Sequence, residues 1–157
     1  MAALKPLTFP RLLASGGTVG FFPWAPGTAG SLLALVLGAG LLAWGGHLVL
    51  LVAALLAWGV GLWAIRAAEA RDDPGWVVID EVAGQWLTLL GLLHLTWIGA
   101  AVAFALFRLL DITKPGPIGW ADRMNSPGGI MLDDVIAGVI GAVLIRLVLL
   151  WHPGLFG

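Results

Sequence analysis

The sequence predicts an all-α, polytopic membrane helical bundle, and three observations predict it. Of 157 residues, 60% are hydrophobic and only 11% are charged, against about 25% charged in soluble domains. There is no charge at all between Arg11 and Arg66. Fourteen of the 17 charged residues fall in two windows, 66–81 and 108–134. Exposing this much apolar surface to water costs roughly 25 cal/mol per Å², so long uncharged stretches point to a bilayer. The whole chain, 1–157, reads as one integral membrane domain.

The elements follow in order. The stretch 16–31 carries too many Gly and Pro residues for a regular spanning helix. Its Trp and Phe side chains suit the headgroup level, so an interfacial or re-entrant segment is expected there. Residues 31–44 form an uncharged helical candidate, Gly45-Gly46-His47 a tight turn, and 48–65 a second span. The first charged window follows, then the uncharged segment 82–107, then a last span at 135–151 interrupted only by Arg146. Arg146 is expected to snorkel outward near the far end of that span.

The 82–107 segment has two readings. One helix of that length would run about 39 Å, longer than a hydrocarbon core of about 30 Å. The other is a hairpin of short helices turning near His94-Leu95-Thr96. The hairpin puts Arg66, Arg71, Arg108, Lys114 and Arg123 on one face, as the positive-inside rule expects of the cytoplasm. It leaves the opposite face without Asp, Glu, Lys or Arg. The expectation is therefore about five membrane helices, N-terminus cytoplasmic and C-terminus outside.

Composition also excludes functions. The net charge of −1 says nothing about partners, but a nucleic-acid binder would show a basic face and none is evident, so no nucleic-acid partner is expected. Zero cysteines exclude disulfides, Cys-ligated zinc and thiol catalysis.

Each charged window closes on an acidic pair that opens an apolar run: Asp80-Glu81-Val82-Ala83-Gly84 and Asp133-Asp134-Val135-Ile136-Ala137-Gly138. Acidic residues suit helix N-termini, where they cap N–H groups and complement the dipole. One carboxylate suffices for that, and a second adds repulsion. The functional reading is a divalent metal site, since Mg²⁺ takes carboxylate oxygens, waters and substrate phosphate. Gly84 and Ala137-Gly138 would let two helices approach closely and bring the carboxylates together.

Between the pairs, Arg108 and Asp111 are spaced for a helical ion pair. Lys114, Pro115 and Pro117 end that helix. Arg108, Lys114 and Arg123 can anchor lipid headgroups or bind phosphate. Pro127-Gly128-Gly129 reads as a turn leading a coil or strand-like segment back to Asp133. Thr28 and Ser31, in a Gly-rich turn before a helix, can add hydroxyl donors, although a helix cap also explains Ser31.

These residues together resemble the bacterial phosphatidylglycerophosphatase A family. The resemblance rests on Ala25-Pro26-Gly27-Thr28-Ala29-Gly30-Ser31, Ile79-Asp80-Glu81-Val82-Ala83-Gly84, Phe107-Arg108 with Asp111-Ile112-Thr113-Lys114-Pro115-Gly116-Pro117-Ile118 and Asp122-Arg123, and Gly129-Ile130-Met131-Leu132-Asp133-Asp134 with Ala137-Gly138. Family members commonly carry a bulkier residue at position 113 and an aromatic one at 116. The resemblance implies a multi-pass bacterial inner-membrane enzyme that converts phosphatidylglycerophosphate to phosphatidylglycerol with Mg²⁺, and the sidedness of the charged windows puts its site on the cytoplasmic face. With the residue inventory, it makes Asp80, Glu81, Asp133 and Asp134 the metal-binding and catalytic candidates. Thr28, Ser31, Arg108, Asp111, Lys114 and Arg123 are the substrate-binding candidates.

The nucleophile stays open between a metal-activated water and an aspartate, with water preferred. His47, His94 and His152 fall on the predicted opposite face. A small transporter or channel is the alternative from another class, but no span has a central carboxylate. A CDP-alcohol phosphotransferase would need an Asp-rich helix signature that the sequence lacks.

Overall fold

The computed structural model describes residues 6–70 and 73–156; Arg71, one of the cations expected on the cytoplasmic face, lies outside them. The described chain is all-helical. It comprises α1 (Phe9–Ala14), α2 (Pro26–Ala67), α3 (Ile79–Leu89), α4 (Trp97–Thr113), α5 (Pro117–Asp122) and α6 (Pro127–Trp151), with a single 3-10 turn at Val19–Phe21 and no strand.

Helix α2 is folded back on itself. A Cβ on Gly30 would lie 2.6 Å from Val78 Cβ, and one on Gly61 would lie 3.2 Å from Ile79 Cγ2. In a straight helix those glycines would stand about 46 Å apart, yet they touch adjacent residues. The reversal falls at Gly46, with φ 71° and ψ −168°, a backbone region open essentially to glycine alone. This is the tight turn expected at 45–47. Leu42 and Leu50, on either side of it, are buried with Leu89 and Leu92.

Helices α3 and α4 form the hairpin expected within 82–107. Gly84 packs against Phe107 and Gly99 against Leu92, an antiparallel register. The turn ends where Thr96 caps α4 by accepting a bond from Gly99 N at 3.0 Å. Helix α6 runs parallel to α3: Gly84 meets the Asp134 carbonyl, and Gly91 meets that of Ala142. Thr88 Oγ1 donates to Gly84 O at 3.0 Å and approaches Gly138 O at 3.4 Å. Trp86 Nε1 ties α3 to α2 through Ala34 O at 2.8 Å.

Several expectations need correction. The count of about five membrane helices is not what length and hydropathy give. Among the described residues, α2 and α6 are the two helices long and apolar enough to cross a membrane. With 11 and 17 residues, α3 and α4 reach only about 16 and 25 Å, short of a core of about 30 Å.

The 127–129 segment is not a coil. Ser126 accepts from Gly129 N at 3.1 Å, Pro127 occupies the first turn, and α6 starts there. Asp133 and Asp134 therefore stand two turns inside α6 rather than at its start. Likewise Pro26–Ser31 is helix rather than a Gly-rich turn, and Ser31 caps nothing: its hydroxyl donates back to Gly27 O at 2.9 Å.

Arg146 is half-buried rather than wholly outward, and its Nη2 donates to Leu90 O at 3.3 Å. His47 Nε2 donates to Leu92 O at 2.6 Å. The two side chains satisfy carbonyls in the turn that follows α3.

Candidate active site

The parallel packing of α3 on α6 puts both acidic pairs at one end of the bundle. Asp80 and Glu81 are the second and third residues of α3, where the helix dipole favours negative charge. Asp133 and Asp134 have no such help, because the turns before them already supply the N-terminus of α6. All four are buried, with relative exposures of 6%, 9%, 4% and 3%.

Glycine makes the approach possible. A Cβ on Gly84 would sit 2.6 Å from the Asp134 carbonyl oxygen, and one on Gly138 2.9 Å from Leu87 Cβ. Gly27, at the start of α2, presses equally close: a Cβ there would overlap Glu81 Oε1 and reach within 3.3 Å of Arg108 Nη1. The three glycines thus bring α2, α3 and α6 against the same carboxylates.

The carboxylates form two overlapping triads. Asp80, Glu81 and Asp134 each place an oxygen within 4.8 Å of the others, and so do Asp111, Asp133 and Asp134. Arg108 Nη1 binds Asp111 Oδ2 at 2.5 Å and lies 4.0 Å from Glu81 Oε1. It also donates to Ser31 Oγ at 3.4 Å. Lys114 Nζ binds Asp133 Oδ2 at 2.6 Å and pairs with Asp122. Burial disfavours the Lys114 charge, but bonds to Asp122 and Asp133 outweigh it and hold the ammonium above its ordinary range. Lys114 sits in the left-handed region, φ 45° and ψ 53°, which costs a side-chain-bearing residue about 1–2 kcal/mol.

Asp80 Oδ1, Glu81 Oε2 and Asp133 Oδ1 are buried without a hydrogen-bond partner among the described residues. Buried anionic oxygens are otherwise paired or bound to metal. An all-oxygen set of this kind fits a hard cation such as Mg²⁺.

Of the residues singled out from sequence, Asp80, Glu81, Asp111, Asp133, Asp134, Arg108, Lys114 and Ser31 meet here. Thr28 is half-buried beside Gly27, and its hydroxyl makes no hydrogen bond among the described residues. Arg123 is exposed and makes no ion pair among them. Three participants were missed. Gly27 was read as part of a turn, and its close approach has no local signal. Asp122 has no local signal either, because its partner Lys114 lies eight positions away across two prolines. Burial holds the carboxyl of Asp73, on the loop before α3, above its ordinary range, with the Lys114 charge opposing and those of Asp122 and Asp111 adding to the shift.

Two helices apolar enough to cross a membrane and a buried carboxylate–Arg–Lys cluster at one end of the bundle point to a membrane-associated protein with a charged site. The sequence model of the family described as Phosphatidylglycerophosphatase A matches residues 12–149. The chain belongs to that family and is a phosphatase.

Phosphatidylglycerophosphatase A of Escherichia coli (strain K12) is 39% identical over 139 residues, 84% of this chain and 78% of the relative. That of Haemophilus influenzae is 36% identical over 145 residues, 90% and 89% of the two chains. A Bacteroides thetaiotaomicron protein, provisionally named a phosphatidylinositol-3-phosphatase, is 36% identical over 153 residues, 90% and 94% of the two chains. No solved structure matches the chain.

Proposed function

We propose that this chain hydrolyses the terminal phosphate ester of phosphatidylglycerophosphate at the membrane surface, with Mg²⁺ held by Asp80, Glu81, Asp133 and Asp134. The observation that carries the reading is the buried carboxylate cluster faced by Arg108 and Lys114 in a chain of this family. Bound Mg²⁺ would neutralise phosphate oxygens and the charge that develops during transfer.

The chain's own groups supply the rest. Arg108 presents a planar fork suited to phosphate oxygens, and Lys114 a point charge. Asp111 holds the Arg108 guanidinium. Ser31, buried on α2, accepts from Arg108 and would steady its fork, and Thr28, nearly one turn earlier, would offer its hydroxyl to the headgroup. Arg123, exposed at the end of α5, is placed to meet the lipid headgroup layer. In the reaction a water oxygen bonds to phosphorus, the phosphorus–oxygen bond to glycerol breaks, and a water proton ends on the released hydroxyl.

The bilayer setting rests on exposed apolar side chains. Val36, Leu56, Ile98 and Leu150 are each more than 60% exposed, a surface that water would not support. We read α6 and the two halves of α2 as crossings of the bacterial inner membrane, with α3 and α4 as a shorter hairpin between them. The carboxylate end then faces the cytoplasm. Charges gathered at one end disfavour a channel, which would need polar groups along its path.

The Bacteroides relative favours a second substrate, a phosphoinositide. The test is phosphate release by purified protein in detergent from each lipid, with Mg²⁺ and with EDTA. Mg²⁺-dependent release from phosphatidylglycerophosphate is expected. Preference for phosphatidylinositol 3-phosphate would replace the substrate, and release undiminished in EDTA would remove the metal.

A further inference from the structure

We infer that the cluster binds two divalent cations, with the Asp134 carboxylate common to both. The inference rests on the phosphatase reading above and adds an ion count to it.

The geometry gives two seats. Asp80, Glu81 and Asp134 surround one, and Asp111, Asp133 and Asp134 the other, each with ligand oxygens within 4.8 Å of one another. Oxygens around a Mg²⁺ at about 2.1 Å stand about 3.0 Å apart when adjacent and about 4.2 Å apart when opposite, so each triad would close around an ion by drawing its side chains together. Each seat also has its own orphaned oxygen. Asp80 Oδ1 and Glu81 Oε2 belong to the first, and Asp133 Oδ1 to the second. Asp80, Glu81 and Asp133 are at least nine-tenths buried. Lys114 engages only Oδ2 of Asp133, so the Oδ1 lone pairs remain for an ion.

Charge points the same way. Five carboxylates share the cluster, and Arg108 and Lys114 return two positive charges. A phosphate monoester adds nearly two more negative charges. One divalent ion would leave the loaded cluster about three charges negative, whereas two leave it about one negative. Two ions held by these residues would supply charge stabilisation to both the attacking and the leaving oxygen of a displacement at phosphorus.

The test is Mn²⁺ titration of detergent-purified protein followed by electron paramagnetic resonance. The expected result is two Mn²⁺ per chain with a spin-coupled spectrum. Asp80→Asn and Asp111→Asn should each leave one uncoupled ion, and Asp134→Asn should abolish coupling; a thermal melt of each variant checks its folding. One Mn²⁺ per wild-type chain, or two without coupling, overturns the inference, and the wild-type count stands even if a variant misfolds. Phosphate release is measured on the same sample. One ion with full release leaves the phosphatase reading and removes the second seat. Two coupled ions without release removes the reading and leaves the seats.

Discussion

The Arg108 guanidinium holds the Asp111 carboxylate at 2.5 Å, one turn further along α4. The same Nη1 lies 4.0 Å from Glu81 and 3.4 Å from Ser31 Oγ, so one side chain spans α4, α3 and α2. Arg108→Lys keeps the charge and loses the fork. We expect turnover to fall about 100-fold or more, the scale of losing one preorganised donor, with stability lowered by about 1–3 kcal/mol. Steady-state phosphate release and thermal unfolding check both figures, and wild-type turnover in Arg108→Lys would remove the fork from the mechanism.

Gly84 and Gly138 set the separation of the two acidic pairs. Gly84→Ala drives a methyl group into the Asp134 carbonyl and the Phe107 ring, an overpacking expected to cost about 1–3 kcal/mol. Activity should fall with it as the carboxylates part. Gly40, inside α2, has nothing within 4 Å of its would-be Cβ, so Gly40→Ala should leave turnover unchanged and the melting temperature unchanged or slightly raised by the better helix former. Equal effects of the two substitutions would show that helix separation is not what matters.

Much of this was legible in the sequence, for physical reasons. Uncharged runs mark apolar helices whatever their packing, so 31–44 and 48–65 emerged, with Gly46 at the turn between them. Charge is scarce enough in this chain that Asp80, Glu81, Asp133 and Asp134 stood out unaided. The start of α6 was misread because Pro-Gly-Gly suggests a turn, whereas Ser126 as a cap with Pro127 behind it is an equally good helix start. The place of Gly27 against Glu81 was not legible, because contact between residues 54 positions apart leaves no local pattern. Length and hydropathy do not carry the count of about five spans, because α3 stops at Leu89 and the chain turns there, the turn carbonyls of Leu90 and Leu92 being taken up by Arg146 and His47.

The reversal at Gly46 makes a topological prediction, and the absence of native cysteine makes it simple to test. Trp24, Trp120, Trp44 and Trp97 are all exposed. Cysteines at 24 and 120 should react with an impermeant thiol reagent from the cytoplasmic side, and cysteines at 44 and 97 from the other. Labelling of 24 and 44 from the same side would sink the folded-back α2.

Lys114 links Asp122 to Asp133, and its pairing holds the ammonium above its ordinary pKa. A raised folded value means the stabilisation is complete below the unfolded pKa of about 10.4 and is lost only as pH rises through the folded one. The stability gap between wild type and Lys114→Met should therefore stay constant between about pH 8 and 9.5. Chemical unfolding at several pH values measures it, and a gap that closes across that range would mean the lysine titrates there.

Asp134 belongs to both carboxylate triads, and so it carries the central claim more directly than any other residue. The decisive measurement is single-turnover phosphate release from phosphatidylglycerophosphate by Asp134→Asn, beside wild type, with folding of the variant confirmed by its melting profile. The account predicts release at least about 1,000-fold slower than wild type, the scale of losing a principal electrostatic contributor. Release at the wild-type rate from a folded Asp134→Asn protein would contradict it.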